Sequence, residues 1–171
     1  MGSQMLEELL SQHLIDVSNI EVTGCFYHLN HSYEMSKTIE GVYHVKPQAC
    51  PYCSNNNIEM FQLYKYQTVK IKLKSKPILP TTLLLKKPAF KCLLCHRNFN
   101  SQVDFVDKNC NISNDLKEYI FELLQVRPKL SYKKISMKTH VSENRIAYLN
   151  KILKKRDIIE NNSQISDCDI S

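Results

Sequence analysis

Glycine is scarce in this sequence, at three of 171 residues. So low a content argues against Gly-rich phosphate loops and long flexible linkers, and neither a GxGxxG string nor a P-loop string is present. No apolar run approaches the roughly 20 residues of a membrane span. The N-terminus has neither the basic region nor the apolar core of a signal peptide. We therefore expect a cytoplasmic protein that contacts no membrane.

Cysteine is the informative residue. Seven cysteines without a secretion signal argue against a disulfide framework and for a reduced protein with metal-binding thiols. Two pairs, Cys50 with Cys53 and Cys92 with Cys95, each enclose two residues, which lets one tight turn present both sulfurs to one ion. The β-rich spacer 54–91 suits a zinc ribbon. We predict one structural Zn²⁺ on these four cysteines, with iron as the alternative metal.

The string Cys-Pro-Tyr-Cys is also the active-site string of glutaredoxins. That chemistry requires a lowered thiol pKa, usually from a helix N-terminus, whereas a turn-like run of serine and asparagine follows here. Ser54 replaces the glycine that commonly follows a zinc-binding turn, although Asn55 can also adopt positive φ. We interpret His96 as a polar neighbour of the metal site, and Cys25 and Cys110 as small buried side chains.

Charge is segregated along the chain. Residues 1–45 carry a net charge of −5, 46–108 of +8, 109–156 of +7 and 157–171 of −4. Two consecutive basic segments indicate a polyanionic partner. The alternative is a solvated lysine-rich surface, since 19 of the 23 basic residues are Lys.

Periodicity predicts an α+β fold. Residues 5–14 have one apolar helical face, strand-like pieces occupy 20–45, and Val69, Ile71 and Leu73 alternate with lysines as in a half-buried strand. After residue 112 the period becomes helical, with helices expected from about 114, over 132–140 and over 143–155. The expected segments are an N-terminal helix and strands (1–46), a zinc ribbon (47–108), a helix-turn-helix bundle (109–156) and an acidic disordered tail (157–171).

The last two helices fit the offsets of a helix-turn-helix. With Tyr132 as the first position, apolar residues fall in the core slots of the motif, and Ser142 can cap the second helix. His140 stands where the turn usually has a small residue, so a plain helical hairpin is the alternative. The core slots are Ile135, Val141, Ile146 and Leu149.

The helix-turn-helix interpretation predicts double-stranded DNA as the partner, with 143–154 as the recognition helix. Asn144 is suited to bidentate pairing with adenine. The predicted base contacts are Ser142, Glu143, Asn144, Ala147 and Tyr148. Basic residues around them are better placed for phosphates, which set affinity rather than sequence preference. The predicted phosphate contacts are Lys133, Lys134, Lys138, Arg145, Lys151, Lys154 and Lys155.

The ordered set of motifs resembles the N-terminal region of the ISL-three family of bacterial insertion-sequence transposases. The resemblance covers roughly residues 15–152. It rests on the Pro47-to-Cys53 turn, on Phe90-to-Cys95 followed by Phe99, on the segment 106–113, and on the helix pair after them.

The resemblance implies a zinc-ribbon and helix-turn-helix module that recognises the terminal inverted repeats of a mobile element. In full-length relatives a catalytic domain with a metal-binding acidic triad follows, whereas only sixteen residues follow Lys155 here. We therefore expect no enzymatic activity and no small-molecule substrate, in a truncated transposase, a stand-alone derivative or an isolated binding half.

Two other functions stay open: a transcriptional regulator derived from a transposase, and a protein-interaction module without a DNA role. Homodimerisation and association with the nucleoid are further expectations for a DNA-binding chain.

Overall fold

The computed structural model describes residues 19–31 and 33–166, so the helix expected over 5–14 lies outside the described residues. Within these ranges the fold is mixed α+β, with five strands and three helices. The strands are β1 (Ile20–Leu29), β2 (Met35–Tyr43), β3 (Phe61–Leu73), β4 (Thr81–Cys92) and β5 (Asn98–Asn100). The helices are α1 (Asn114–Gln125), α2 (Tyr132–Thr139) and α3 (Glu143–Ser166).

The five strands form one sheet in the order β1-β2-β4-β3, with β5 paired to the far half of β4. The pairs β1–β2, β3–β4 and β4–β5 are antiparallel, whereas β2 runs parallel to β4 over Lys37–Val42. The sheet therefore includes strands from both the 1–46 and the 47–108 segments. The register joins Phe61 to Cys92 at one end of the β3–β4 hairpin and Leu73 to Thr81 at the other.

Alternation along β3 and β4 sets the core face of the sheet. Ile71 and Leu73 pair in register with Leu83 and Thr81, and the side chains of all four are buried. The lysines between the apolar positions of β3 point to the opposite face, as the period of two requires. Val103 and Val106, from the segment after β5, join the apolar residues of this core.

The described chain divides into two compact units between Asp115 and Leu116. In the helical unit, Ser131 caps α2 by accepting a hydrogen bond from the Lys134 amide. His140 ends α2 in the left-handed conformation, with φ of 54°. The Asn150 side chain donates a 2.8 Å hydrogen bond to the Tyr132 hydroxyl, which ties the start of α2 to α3.

The end of α3 differs from expectation. The segment 157–171 was expected to be disordered, but α3 continues to Ser166, and only 167–171 lie beyond the described residues. Polar composition made the segment look unstructured, yet no glycine or proline occurs after Pro128 to end the helix.

Candidate metal centre and adjoining surfaces

The fold brings the two cysteine pairs together at the open end of the β3–β4 hairpin. Cys50 and Cys53 lie in the loop before β3, Cys92 is the last residue of β4, and Cys95 lies in the turn to β5. The amide of Leu93 donates a 2.8 Å hydrogen bond to the carbonyl of Met60, which holds the second turn against the start of β3. The long hairpin therefore closes a 38-residue gap in sequence.

The four sulfur atoms have the spacing of a tetrahedral metal site. All lie within 4.8 Å of one another. The Sγ atoms of Cys50 and Cys95 are 3.6 Å apart, and those of Cys53 and Cys92 are 3.8 Å apart. A tetrahedron of thiolates around zinc, with Zn–S bonds of about 2.3 Å, has S–S edges of about 3.8 Å. These cysteines therefore form a candidate metal site, as their spacing in sequence predicted.

The two cysteine turns have the same backbone construction. The amide of Cys50 donates to the carbonyl of Asn55 at 2.8 Å, and the amide of Cys92 donates to the carbonyl of Arg97 at 3.0 Å. In each turn the residue directly after the second cysteine is left-handed, Ser54 with φ of 56° and His96 with φ of 59°. The serine itself, rather than Asn55, takes the position that glycine commonly holds.

This geometry also bears on the redox alternative. Residues 51–53 form a turn and residues 54–57 have no regular structure, so no α-helix begins at Cys53. The helix N-terminus that usually lowers the pKa of a catalytic thiol is therefore missing from this turn. The redox alternative concerns only Cys50 and Cys53, whereas a metal site uses all four cysteines.

Backbone amides and mutual repulsion set the pKa values of the thiols. The amide of Cys95, supported by that of Leu94, lowers the pKa of Cys92 to about 6 despite burial. For Cys53 the amide of Asn55 acts in the same direction, but burial and the three neighbouring sulfurs outweigh it and raise the pKa to about 12. Burial raises the pKa of Cys50, but hydrogen bonds from the amides of Tyr52 and Cys53 outweigh it, so the net pKa is lowered. Sulfurs this close ionise together only around a cation.

An aromatic cluster packs against the cysteines of the candidate site. Cys50 and Cys92 are buried against Phe90 and Phe99. The ring of Phe99 meets that of Phe61 edge to face, with centroids 5.7 Å apart, and that of Phe90 at 6.0 Å. Each of the three strands that carry the cysteine turns contributes one ring, so the ring packing and the thiols fix the same end of the sheet.

The helical unit holds the residues predicted to contact DNA. Most of the predicted base contacts are exposed, but Ala147 is half-buried. Arg145 is half-buried as well, and its guanidinium lies 5.0 Å from the centroid of the Tyr148 ring. The exposed members of the predicted set are Ser142, Glu143, Asn144 and Tyr148, together with Lys133, Lys134, Lys138, Lys151, Lys154 and Lys155.

A groove beside the first cysteine turn is a feature that the sequence analysis missed. It has a volume of about 890 Å³ and extends from Tyr52 along one face of β3 to the segment 101–110. The available signal was the alternation of aromatic and basic residues in Tyr64-Lys65-Tyr66. Tyr52, between the cysteines of Cys-Pro-Tyr-Cys, is a second aromatic residue that lines the groove.

Comparison with known proteins assigns no family. No protein-family model matches the chain, no curated protein matches it, and no solved structure matches it. Within the ranges that the structure describes, no helix has the length and apolar character needed to cross a membrane.

Proposed function

We propose that this chain is a sequence-specific double-stranded DNA-binding module, with a zinc ribbon and a helix-turn-helix. One structural Zn²⁺ on Cys50, Cys53, Cys92 and Cys95 fixes the ribbon. In the helical unit, α2 supports α3, and the first turns of α3 read base edges in the major groove.

The packing of the helix pair carries the proposal. The four apolar slots of the motif, Ile135, Val141, Ile146 and Leu149, are each at most 2% exposed. Their burial leaves the opposite side of the first turns of α3 in solvent. There Ser142, Glu143 and Asn144 are exposed. Residues at the N-terminal end of a recognition helix are the ones that meet base edges in this class of protein.

Charge around the helix pair supports the same partner. Residues 109–156 carry a net charge of +7. The lysines at 133, 134 and 138 in α2 and at 151, 154 and 155 in α3 are exposed. Their role is to neutralise phosphates, which provides affinity without sequence preference. The half-buried Arg145, already placed over the Tyr148 ring, is the weakest member of the predicted phosphate set.

The resemblance to ISL-three transposases suggests that the target is the terminal inverted repeat of a mobile element, with a promoter as the alternative target. Selection of bound fragments from genomic DNA, followed by sequencing, separates the two. Enrichment of inverted repeats supports the first target, and enrichment of promoters supports the second. Failure to bind any duplex at about 50–100 mM salt, where phosphate contacts are strong, contradicts both and favours the protein-interaction alternative.

Base readout is tested with Asn144→Ala. Loss of one good bidentate contact is expected to cost about 1–3 kcal/mol on the selected site and little on random duplex. Lys151→Ala is the comparison variant, because loss of a phosphate contact weakens binding to both duplexes by a similar factor. Fluorescence anisotropy of the unmodified chain and both variants on the two duplexes gives the six affinities. An equal loss on the two duplexes for Asn144→Ala shows that this residue does not read bases.

A further inference from the structure

The groove lies on the core face of the sheet, within the first compact unit. Segment 101–110 covers this face over the apolar end of β3, where Val69 and Ile71 are. Lys65, Gln67 and Lys87 also line the groove, and Lys87 contacts the covering segment at Ser101. A volume of about 890 Å³ falls in the range of ligand-binding pockets.

Two exposed tyrosine rings line the groove near the metal site. Tyr52 is 53% exposed and Tyr64 is 54% exposed. The register of β3 on β4 shifts between Leu63 and Lys65, so Tyr64 occupies a bulge. A bulge re-aims a side chain, which explains how consecutive residues of one strand both line the groove. Stacked cations accompany both rings: the Arg97 guanidinium is 5.1 Å from the Tyr52 centroid, and the Lys65 Nζ is 5.5 Å from the Tyr64 centroid.

The polar lining favours an anionic ligand with hydrogen-bonding groups. Three lysines, Lys65, Lys87 and Lys108, and one carboxylate, Asp107, line the groove. Lys87 donates a 2.9 Å hydrogen bond from Nζ to the carbonyl of Ser101. The hydroxyl of Ser101 is buried, in a residue that is 8% exposed, and has no hydrogen-bond partner among the described residues. The groove therefore combines positive charge with polar lining side chains such as Gln67 and Asn100.

We propose that the sheet groove binds single-stranded nucleic acid, with unpaired bases stacked on Tyr52 and Tyr64 and the phosphate backbone on the lysines. Aromatic platforms in a basic groove are the general means of binding single strands. A duplex does not use such a platform, because each base face is covered by its neighbours in the stack. The proposal goes beyond the duplex binding proposed for the helical unit and uses none of its residues.

The test uses the full chain with metal bound. Fluorescein-labelled ten-nucleotide oligo(dT) and oligo(rU) are titrated at about 50 mM salt, and anisotropy gives the affinity. The chain has nine tyrosines and no tryptophan, so quenching of tyrosine emission reports stacking directly. Tyr64→Leu is expected to weaken binding by about 5- to 150-fold, the range for loss of one stacked base, whereas Tyr64→Phe retains most of the affinity.

The matched control is Tyr66→Leu. Tyr66 is 50% exposed on the same strand but does not line the groove. Its substitution is expected to change single-strand affinity by less than about twofold. Tyr52→Leu should act like Tyr64→Leu, and metal content is checked in that variant because Tyr52 lies between two of the cysteines.

Three results overturn the proposal: no binding of either oligonucleotide, equal losses for Tyr64→Leu and Tyr66→Leu, or thymidine monophosphate binding as tightly as the oligonucleotide. The last result identifies a free-nucleotide site instead. Duplex affinity measured on the same variants separates this proposal from the DNA-binding function. Tyr64→Leu should leave duplex affinity unchanged, and Asn144→Ala should leave single-strand affinity unchanged.

Discussion

Several non-glycine residues in this chain adopt the left-handed backbone conformation that is usually taken by glycine. Five non-glycine residues in the described ranges have positive φ, among them Ser54, His96 and His140. A left-handed residue with a Cβ costs roughly 1–2 kcal/mol, so each persists because the surrounding hydrogen bonds require it. Cys50 and Cys92 provide such bonds in the two metal turns, and Ser136 in the α2 cap.

Ser54→Gly should therefore stabilise the protein. Relief of the left-handed strain is worth roughly 1–2 kcal/mol, and the added entropy of glycine in the unfolded chain offsets roughly 0.5–1 of it. The net expectation is a gain of up to about 1.5 kcal/mol in the free energy of unfolding, measured by denaturant titration. Ser36→Gly is the control, because Ser36 has extended backbone in β2 and should lose stability. Destabilisation of Ser54→Gly means that its side chain contributes more than its strain costs.

Residue patterns predicted the four cysteines of the candidate site better than they predicted the backbone conformation of the cysteine turns. Cys-x-x-Cys spacing identified all four thiols, since two residues between ligands is a local geometric requirement. The sequence has Ser54 where glycine commonly follows such a turn, with Asn55, a residue type that tolerates positive φ, next to it. The bond from the Cys50 amide to the Asn55 carbonyl decides for Ser54. That hydrogen bond forms only when the turn is closed, and the identity of any single residue does not determine whether the turn closes.

At the scale of elements, alternation in 69–74 correctly predicted a strand with one buried face, now the end of β3. The parallel pairing of β2 with β4 was not predicted. It joins strand segments about 44 residues apart in the sequence. Parallel strands are connected by a long crossover, so no short turn motif marks their pairing. The exposed first half of β3, with Leu63, Tyr64 and Tyr66, also lacks the alternation that marks a half-buried strand.

The candidate metal site joins the loop before β3 to the end of β4, so loss of a metal ion there is expected to destabilise both strands. Cys92→Ser is expected to release zinc and lower the melting temperature, because metal binding contributes directly to folding free energy in such sites. Metal per chain is measured by mass spectrometry and unfolding by circular dichroism. Cys25→Ser is the control, since Cys25 packs against the sheet core and belongs outside the thiol cluster. A Cys92→Ser variant that keeps one zinc and its melting temperature contradicts the site.

At the scale of the whole molecule, charge and architecture divide the chain in related ways. The sequence changes from β to helical periodicity near residue 112, and the boundary between the two compact units falls between Asp115 and Leu116. Both units contain a strongly basic segment. Charge therefore predicts a polyanionic partner for either unit, but only the shape of each surface separates a site for paired bases from one for unpaired bases.

The salt dependence of duplex binding tests the whole basic surface of the helical unit. If four to six of the predicted lysines contact phosphates, the slope of log Kd against log salt is about 4 to 5, since each contact adds about 0.9. The double variant Lys154→Gln, Lys155→Gln should lower this slope by about two on specific and random duplex alike. Lys46→Gln, in an exposed loop residue outside the predicted contacts, should leave it unchanged. A slope near zero shows that duplex binding makes no phosphate contacts, and an unchanged slope in the double variant shows that Lys154 and Lys155 contact none.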